Sequence, residues 1–279
     1  MIRRLILHVG SPKCGSTFLQ QGLLRNQAPL LDHGIRYPHD GGGHPGNAAE
    51  IDKLDRAGYE ALFADGVHTV ILSHEDLYSM ARRGGPLAEL VRRDGAGVHI
   101  LAFLRPFSEF VFGDYSQFMK QFFERFLQDR RPYDGQSFDA FALRRVEKLQ
   151  PVTFLSNWQR CFDGAPITVS GHRSIRDVVQ GLLGPDVPID WEVPHHQTNP
   201  SLRMIDCDRI AAAMRDPSVP EDKIRALFGE AFHLAGTPDP GRSPSRIARI
   251  EAAFAAQNAA LRETFGYDNT LPGFSEPAI

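Results

Sequence analysis

Two rhythms of apolar and polar positions alternate along this chain. Leu5, Ile6, Leu7 and Val9 form a short apolar run that reads as a buried strand, and Gly10, Ser11 and Pro12 stop it. From Ser16 onward Phe18, Leu19, Leu23 and Leu24 fall on one helical face. Tyr59 to Ala64 reads as a short helix, and Val67 to Leu72 as a second strand of the continuous, β-branched kind. A helix over Pro86 to Arg93 and a strand over Val98 to Leu104 come next. Phe107 to Leu127 carries Phe110, Val111, Phe118, Phe122, Phe123 and Phe126 at helical spacing, and Phe138 to Phe162 reads as helix divided at Pro151. Pro166 to Ser170 is a further strand, with a helix from Ser174. The C-terminal stretch from Ser243 spaces Ile247, Ile250, Phe254, Leu261 and Phe265 helically, with Ser243 before Pro244 as its N-cap and Gly266 as its stop.

Strands alternating with helices predict an α/β fold of three layers, a mostly parallel central sheet flanked by helices, with its ligand at the carboxyl edge. No repeat or clear linker interrupts the chain, which reads as a single domain over 1–279. The irregular stretches stand out against this pattern. LLDHGIRYPHDGGGHPGNAAEID, holding His39 and His44, reads as a long loop whose histidines are solvated. ERFLQDRRPYDGQ, with Arg125, Arg130 and Arg131, reads as an exposed connection, a solvated charge run that also suits the rim of a site for an anionic acceptor. Pro185 to His196 is a loop in which His195 and His196 are read as surface residues, since no partner cluster for a metal is visible.

Candidate chemistry concentrates where predicted strands end. A strand entering a glycine-bearing loop that opens a helix points backbone N–H groups and the positive end of the helix dipole at one spot, which favours an anion. Gly10 to Thr17 has this form. Gly10 and Gly15 have the spacing of a nucleoside-triphosphate loop, but Ser16 and Thr17 follow directly and the lysine, Lys13, lies inside the loop. That arrangement suits an anionic group held by backbone, hydroxyls and one ammonium, without a metal. Ser73, His74, Glu75 and Asp76 lie just past the next strand, where His74 or Glu75 is a candidate general base and a helix N-cap with acidic first-turn residues is the other reading. Arg105 ends the strand after that. Its planar fork and permanent charge suit a phosphate, and a surface ion pair is the alternative.

The segment GSPKCGSTFLQ resembles the 5′-phosphosulfate loop of sulfotransferases that use 3′-phosphoadenosine 5′-phosphosulfate (PAPS), whose usual form is P-K-[TS]-G-[ST]-[ST]; Cys14 departs from it. Gly34 to Pro38 is similar to the G-I-x-Y-P of bacterial sulfotransferase-like sequences. Ser73, Glu75 and Leu77 match their S-S-E-x-L, with His74 in place of the second serine. The family's 3′-phosphate motif has an arginine at a strand end and a serine eight residues later. Arg105 fits, whereas Gly113 stands at the serine position, leaving Ser108 or Ser116 to substitute. Weaker matches are Trp158, Phe162 and the strand ITVS, and Asn199-Pro200-Ser201-Leu202.

The resemblance implies a P-loop NTPase-like sulfotransferase fold and transfer of a sulfuryl group from PAPS to a hydroxyl of a carbohydrate or other polar metabolite. Ser11, Lys13, Cys14, Gly15, Ser16, Thr17 and Phe18 would bind the donor together with Arg105, Gly113 and Ser116, leaving adenosine 3′,5′-bisphosphate as product. Lys13 would stabilise the leaving phosphate oxygen, and His74 or Glu75, with His44 in reserve, would take the acceptor proton. An ATP-dependent phosphotransferase and a non-catalytic nucleotide-binding relative are the alternatives. The misplaced lysine argues against the first, while Cys14 and Gly113 are the features that favour the second.

Composition narrows the setting. Hydrophobic residues at 42% and charged residues at 23% exclude a disordered chain, and a net charge of −3 gives no general attraction to nucleic acid or an anionic membrane. Cys14, Cys161 and Cys207 have neither metal-ligand spacing nor a disulfide framework, which fits reduced thiols in a cytoplasmic protein. The apolar run after Arg3 and Arg4 is too brief for a secretion signal, and no stretch approaches a membrane span.

Overall fold

The computed structural model describes residues 2–194 and 199–274, so His195 and His196 lie outside the described residues. The chain divides into two compact units. The first comprises Met1–Arg105, Pro151–Thr198 and Leu261–Tyr267, the second Pro106–Gln150, Asn199–Ala260 and Asp268–Ile279.

A five-stranded, all-parallel sheet organises the first unit. Its strands are β1 (Arg4–Gly10), β2 (Ile35–Arg36), β3 (Thr69–Ser73), β4 (Gly97–Leu104) and β5 (Ile167–Gly171), in the order β2-β3-β1-β4-β5. The protein is thus α/β, with the expected parallel sheet and flanking helices. β1 sits centrally, Leu7 in register with Leu72 of β3 on one side and Ile100 of β4 on the other. Coverage on both faces explains its mainly apolar run, interrupted at His8: Leu5, Leu7 and Val9 have no exposed surface. After β1 the chain next adds strands on the β3 side, and after β4 it adds β5 on the opposite side. The crevice outside the carboxyl ends of β1 and β4 is therefore the topological switch point, where open α/β sheets hold ligands.

The helices of this unit are α1 (Ser16–Arg25), α2 (Gln27–Asp32), α3 (Arg56–Leu62), α4 (Gly85–Asp94), and, beyond the second unit's first segment, α7 (Pro151–Cys161) and α8 (Ile175–Leu183). Leu19 and Leu23 bury the apolar face of α1, as their spacing requires. Trp158 of α7 is fully buried, and its indole N–H donates to the Leu77 carbonyl at 3.0 Å. The second unit is helical: α5 (Phe107–Asp129), α6 (Phe138–Lys148), α9 (Met204–Arg215), α10 (Glu221–His233) and α11 (Pro244–Ala253). Its core is aromatic, with Tyr115 stacked on Tyr133 at 3.7 Å and Phe123 on Phe228 at 3.8 Å between ring centres.

Three expectations are corrected. The long loop after α1 holds the end of α2 and strand β2, where Gly34, at φ 69°, turns the chain into a two-residue pairing with β3 too short to show any periodicity. The Arg125–Arg131 segment is not one exposed connection: α5 continues to Asp129, and left-handed turns at Arg130, Tyr133 and Asp134 fold buried Tyr133 beneath Tyr115. The C-terminal helical stretch is broken. Phe254, fully buried and stacked on Phe107 at 4.2 Å, leaves helical geometry between α11 and α12 (Ala255–Phe265). Ser243 does cap α11, its Oγ accepting from the Arg246 N–H at 3.3 Å.

Candidate functional site

All strands of the sheet run parallel, so the loops that follow them share one edge of the first unit. Leaving β1, the chain turns at Gly10, φ 117°, where an added Cβ would lie 2.8 Å from the Glu75 carbonyl. Only glycine fits that approach. The Ser11 N–H donates to the Phe103 carbonyl of β4 at 2.9 Å, and the Ser16 hydroxyl donates to the Ser11 carbonyl at 3.3 Å, closing the loop on itself. Lys13 also has positive φ, 64°. Gly15, in left-handed geometry, precedes α1, and no side chain caps the helix. The first N–H groups of α1, at Ser16, Thr17 and Phe18, have no intrahelical acceptor and form the receptive end of the loop.

Arg105, at the end of β4, lies beside Cys14 of this loop. Burial pushes the Cys14 thiol up to about 11, against the opposing pull of the Arg105 guanidinium, so position 14 is neutral at physiological pH and repels no anion. The Arg105 Nε is buried without a hydrogen-bond partner among the described residues. A buried guanidinium N–H of this kind is costly until an acceptor reaches it. Ile175, at the start of α8, closes the far side: a Cβ on Gly15 would lie 2.5 Å from its Cδ1.

Beyond β3, a compact polar cluster forms around Glu75. Its Oε2 accepts from the Gln20 amide of α1 at 2.8 Å, and its Oε1 lies 3.6 Å from His44 Nε2. The His44 ring stacks on His74, 4.8 Å between centres. The loop around His39 and His44 therefore folds back onto the sheet edge, held by His39 Nε2 donating to the His44 carbonyl and by Tyr37 Oη donating to the Pro45 carbonyl. Burial alone would raise the Glu75 carboxyl, but the Gln20 amide, its own backbone N–H and the two imidazoles outweigh it, and the group is held below the ordinary glutamate value. Burial holds His74 below the ordinary imidazole value, Glu75 pulling the other way.

The hydrogen bonds assign the ring protons. His44 Nδ1 accepts from the Gly46 N–H at 3.0 Å and His74 Nδ1 from the Asp76 N–H at 3.3 Å, which leaves the proton of each neutral ring on Nε2. Glu75 is thus the member of the cluster that stays ionised and keeps lone pairs for a further donor. His74 also serves as the N-cap of the short turn Glu75–Leu77, with Glu75 and Asp76 as its acidic first-turn residues, as the second reading of this segment expects.

Sequence reasoning missed the buried support of this cluster. His8 and Gln20 are fully buried, and both reach the Ser73 hydroxyl, at 2.8 and 3.2 Å. A histidine within an otherwise apolar strand is the signal the sequence offers for His8. Burial drives it down to about 4, while Glu75 pulls weakly upward. Unfolded, His8 takes a proton near pH 6.5; folded, it does so only near 4, so the unfolded state gains stability as pH falls through this window. Chemical denaturation should show the protein losing about 2 kcal/mol through His8 between pH 7 and 5, and His8→Gln should lose correspondingly less. Equal losses in both proteins would remove His8 as the cause.

Three more expected site residues remain, each with contacts of its own. Phe18 is stacked on Trp191 at 5.7 Å, with the Arg176 guanidinium 5.3 Å from its ring. Gly113 and Ser116 lie in the second unit, on α5, where the buried Ser116 Oγ accepts from the Leu202 N–H at 2.7 Å. Ser108, in the same helix, donates to Glu251. The two substitute hydroxyls thus take part in the packing of that unit. Among the described residues no group of His, Cys, Asp and Glu has the makings of a metal site, and no helix is long and apolar enough to cross a membrane.

Fold and site together define a parallel α/β protein with a glycine loop at its switch point, Arg105 at the end of the strand on one side and the polar cluster around Glu75 beyond the strand on the other. Neither a scan against protein-family models nor a search of curated proteins returned a match.

Proposed function

We propose that this chain is a PAPS-dependent sulfotransferase built on a P-loop NTPase-like frame, transferring a sulfuryl group to a hydroxyl of a polar, carbohydrate-like acceptor. The observation that carries this reading is the order β3-β1-β4: adjacent strand ends bear Glu75, the lysine-containing loop and Arg105. Residues fit the donor on three counts: two glycines whose conformation excludes a side chain, an uncapped helix start, and a buried guanidinium nitrogen awaiting an acceptor.

In this reading Ser16, Thr17 and the α1 amides hold the 5′-phosphosulfate, and Arg105 holds the 3′-phosphate. Glu75 takes the proton of the acceptor hydroxyl as its oxygen bonds to sulfur. The bond between sulfur and the 5′-phosphate oxygen breaks, the electron pair leaves with that oxygen, and Lys13 neutralises the charge. His44 and Gln20 position the carboxylate. The donor is a cytoplasmic metabolite, which sets the expected compartment.

Calorimetry tests the donor assignment. The protein should bind adenosine 3′,5′-bisphosphate more tightly than adenosine 5′-monophosphate. Arg105→Ala should weaken the bisphosphate by about 10- to 100-fold and leave the monophosphate nearly unchanged. A preference for ATP with magnesium would favour a phosphotransferase instead, and bisphosphate binding without turnover on any acceptor would favour a non-catalytic relative.

A further inference from the structure

The second unit holds a cavity between the arginine-rich end of α5 and α6 that the proposed sulfuryl transfer does not use. Where α5 packs on α6, Phe118, Phe122 and Phe141 wall a cavity of about 230 Å³. Guanidinium groups already lie over these rings: Arg125 is 4.6 Å from the centre of Phe122, and Arg145 is 4.8 Å from Phe118 and 4.7 Å from Phe141. Each has a carboxylate partner, Asp134 at 3.3 Å and Asp114 at 2.6 Å, so these pairs add little net charge.

Arg144 and Lys148 complete the rim. Both are exposed, and neither has an ion-pair partner among the described residues. They stand one helical turn apart on α6, a like-charge spacing that weakens a helix unless an anion lies between the charges. Aromatic rings and the flat faces of paired guanidinium groups, beneath two cations without an ion-pair partner, suit a planar ring that carries an oxyanion. The volume falls below the usual range for drug-sized ligands and admits a single ring.

We propose that this cavity binds a small aromatic oxyanion, an aryl carboxylate or aryl sulfate, at a site separate from the donor loop. The proposal does not depend on the sulfotransferase reading. Saturation-transfer NMR and calorimetry on the full chain, with benzoate, phenyl sulfate and neutral benzyl alcohol as probes, test it. At least one anion should bind saturably and with affinity falling as salt rises, and benzyl alcohol should bind at least about ten-fold more weakly. The double variant R144Q/K148Q, with an unchanged circular dichroism spectrum, should weaken the anion by about ten-fold or more. Excess adenosine 3′,5′-bisphosphate should leave the affinity unaltered. Absence of saturable uptake of either anion, equal binding of benzyl alcohol, undiminished binding by R144Q/K148Q, or competition with the bisphosphate would each overturn the proposal. The two anions report separately on carboxylate and sulfate.

Discussion

Glu75→Gln is expected to lower the rate of sulfuryl transfer by about 10²- to 10⁴-fold, the usual worth of a general base, with little change in affinity for adenosine 3′,5′-bisphosphate. The substitution keeps the shape of the side chain and its contact with Gln20, at 2.8 Å in the parent, while removing the group that receives the proton. The imidazoles cannot take over in their present arrangement, since both His44 Nδ1 and His74 Nδ1 already accept backbone N–H groups. The pH profile separates the candidates. Because the Glu75 carboxyl is held below its ordinary value, a Glu75 base stays ionised from pH 7 down to 5, and turnover should show no acid limb there, provided the protein remains folded. An acid limb in this range would speak against the carboxylate as the base. A variant with parental turnover, or a limb that survives in Glu75→Gln, would transfer the role to His74 or His44.

Lys13→Ala should cost about 10²- to 10³-fold in turnover, comparable to the loss of one preorganised donor to a developing oxyanion. The position complicates the test, because Lys13 occupies left-handed backbone geometry at φ 64°, which alanine tolerates poorly. Lys13→Asn removes the charge while keeping a residue suited to that geometry. If the ammonium acts on the leaving group, both variants lose turnover to a similar degree, whatever their stabilities. If the loop conformation is what matters, Lys13→Asn retains most of the activity and Lys13→Ala does not. Single-turnover radiolabelled sulfate transfer at saturating donor reads the chemical step directly.

The frame of the first unit was legible because its signals are local. A short, mainly apolar run next to a glycine reads as a buried strand, and β1, β3 and β4 approach that form, with His8 and His99 as the polar exceptions. Strand β2 was not legible, since two paired residues carry no period, and α2 was hidden by the single turn at Asn26 that separates it from α1. Helix α9 buries Met204, Cys207, Ile210, Ala211 and Met214 at helical spacing, a stripe made faint in the sequence by small and sulfur-bearing side chains, and α10 buries only Ile224 and Ala231. For the site, the loop and Arg105 were visible as strand ends. What no linear pattern reveals is that Gln20, on the buried face of α1, joins Ser73 to Glu75, or that a loop rich in glycine and proline carries His44 back onto His74. Such contacts link positions far apart in the chain, and only the folded sheet edge brings them together.

Strand β1 carries one last consequence. It is bonded along both sides, to β3 and β4, and each of those is bonded again to an outer strand. The loop from Gly10 therefore springs from the part of the unit that should fray last, so its amides face their guest already ordered. Little configurational freedom is left for capture to freeze, and affinity can come from a small number of contacts.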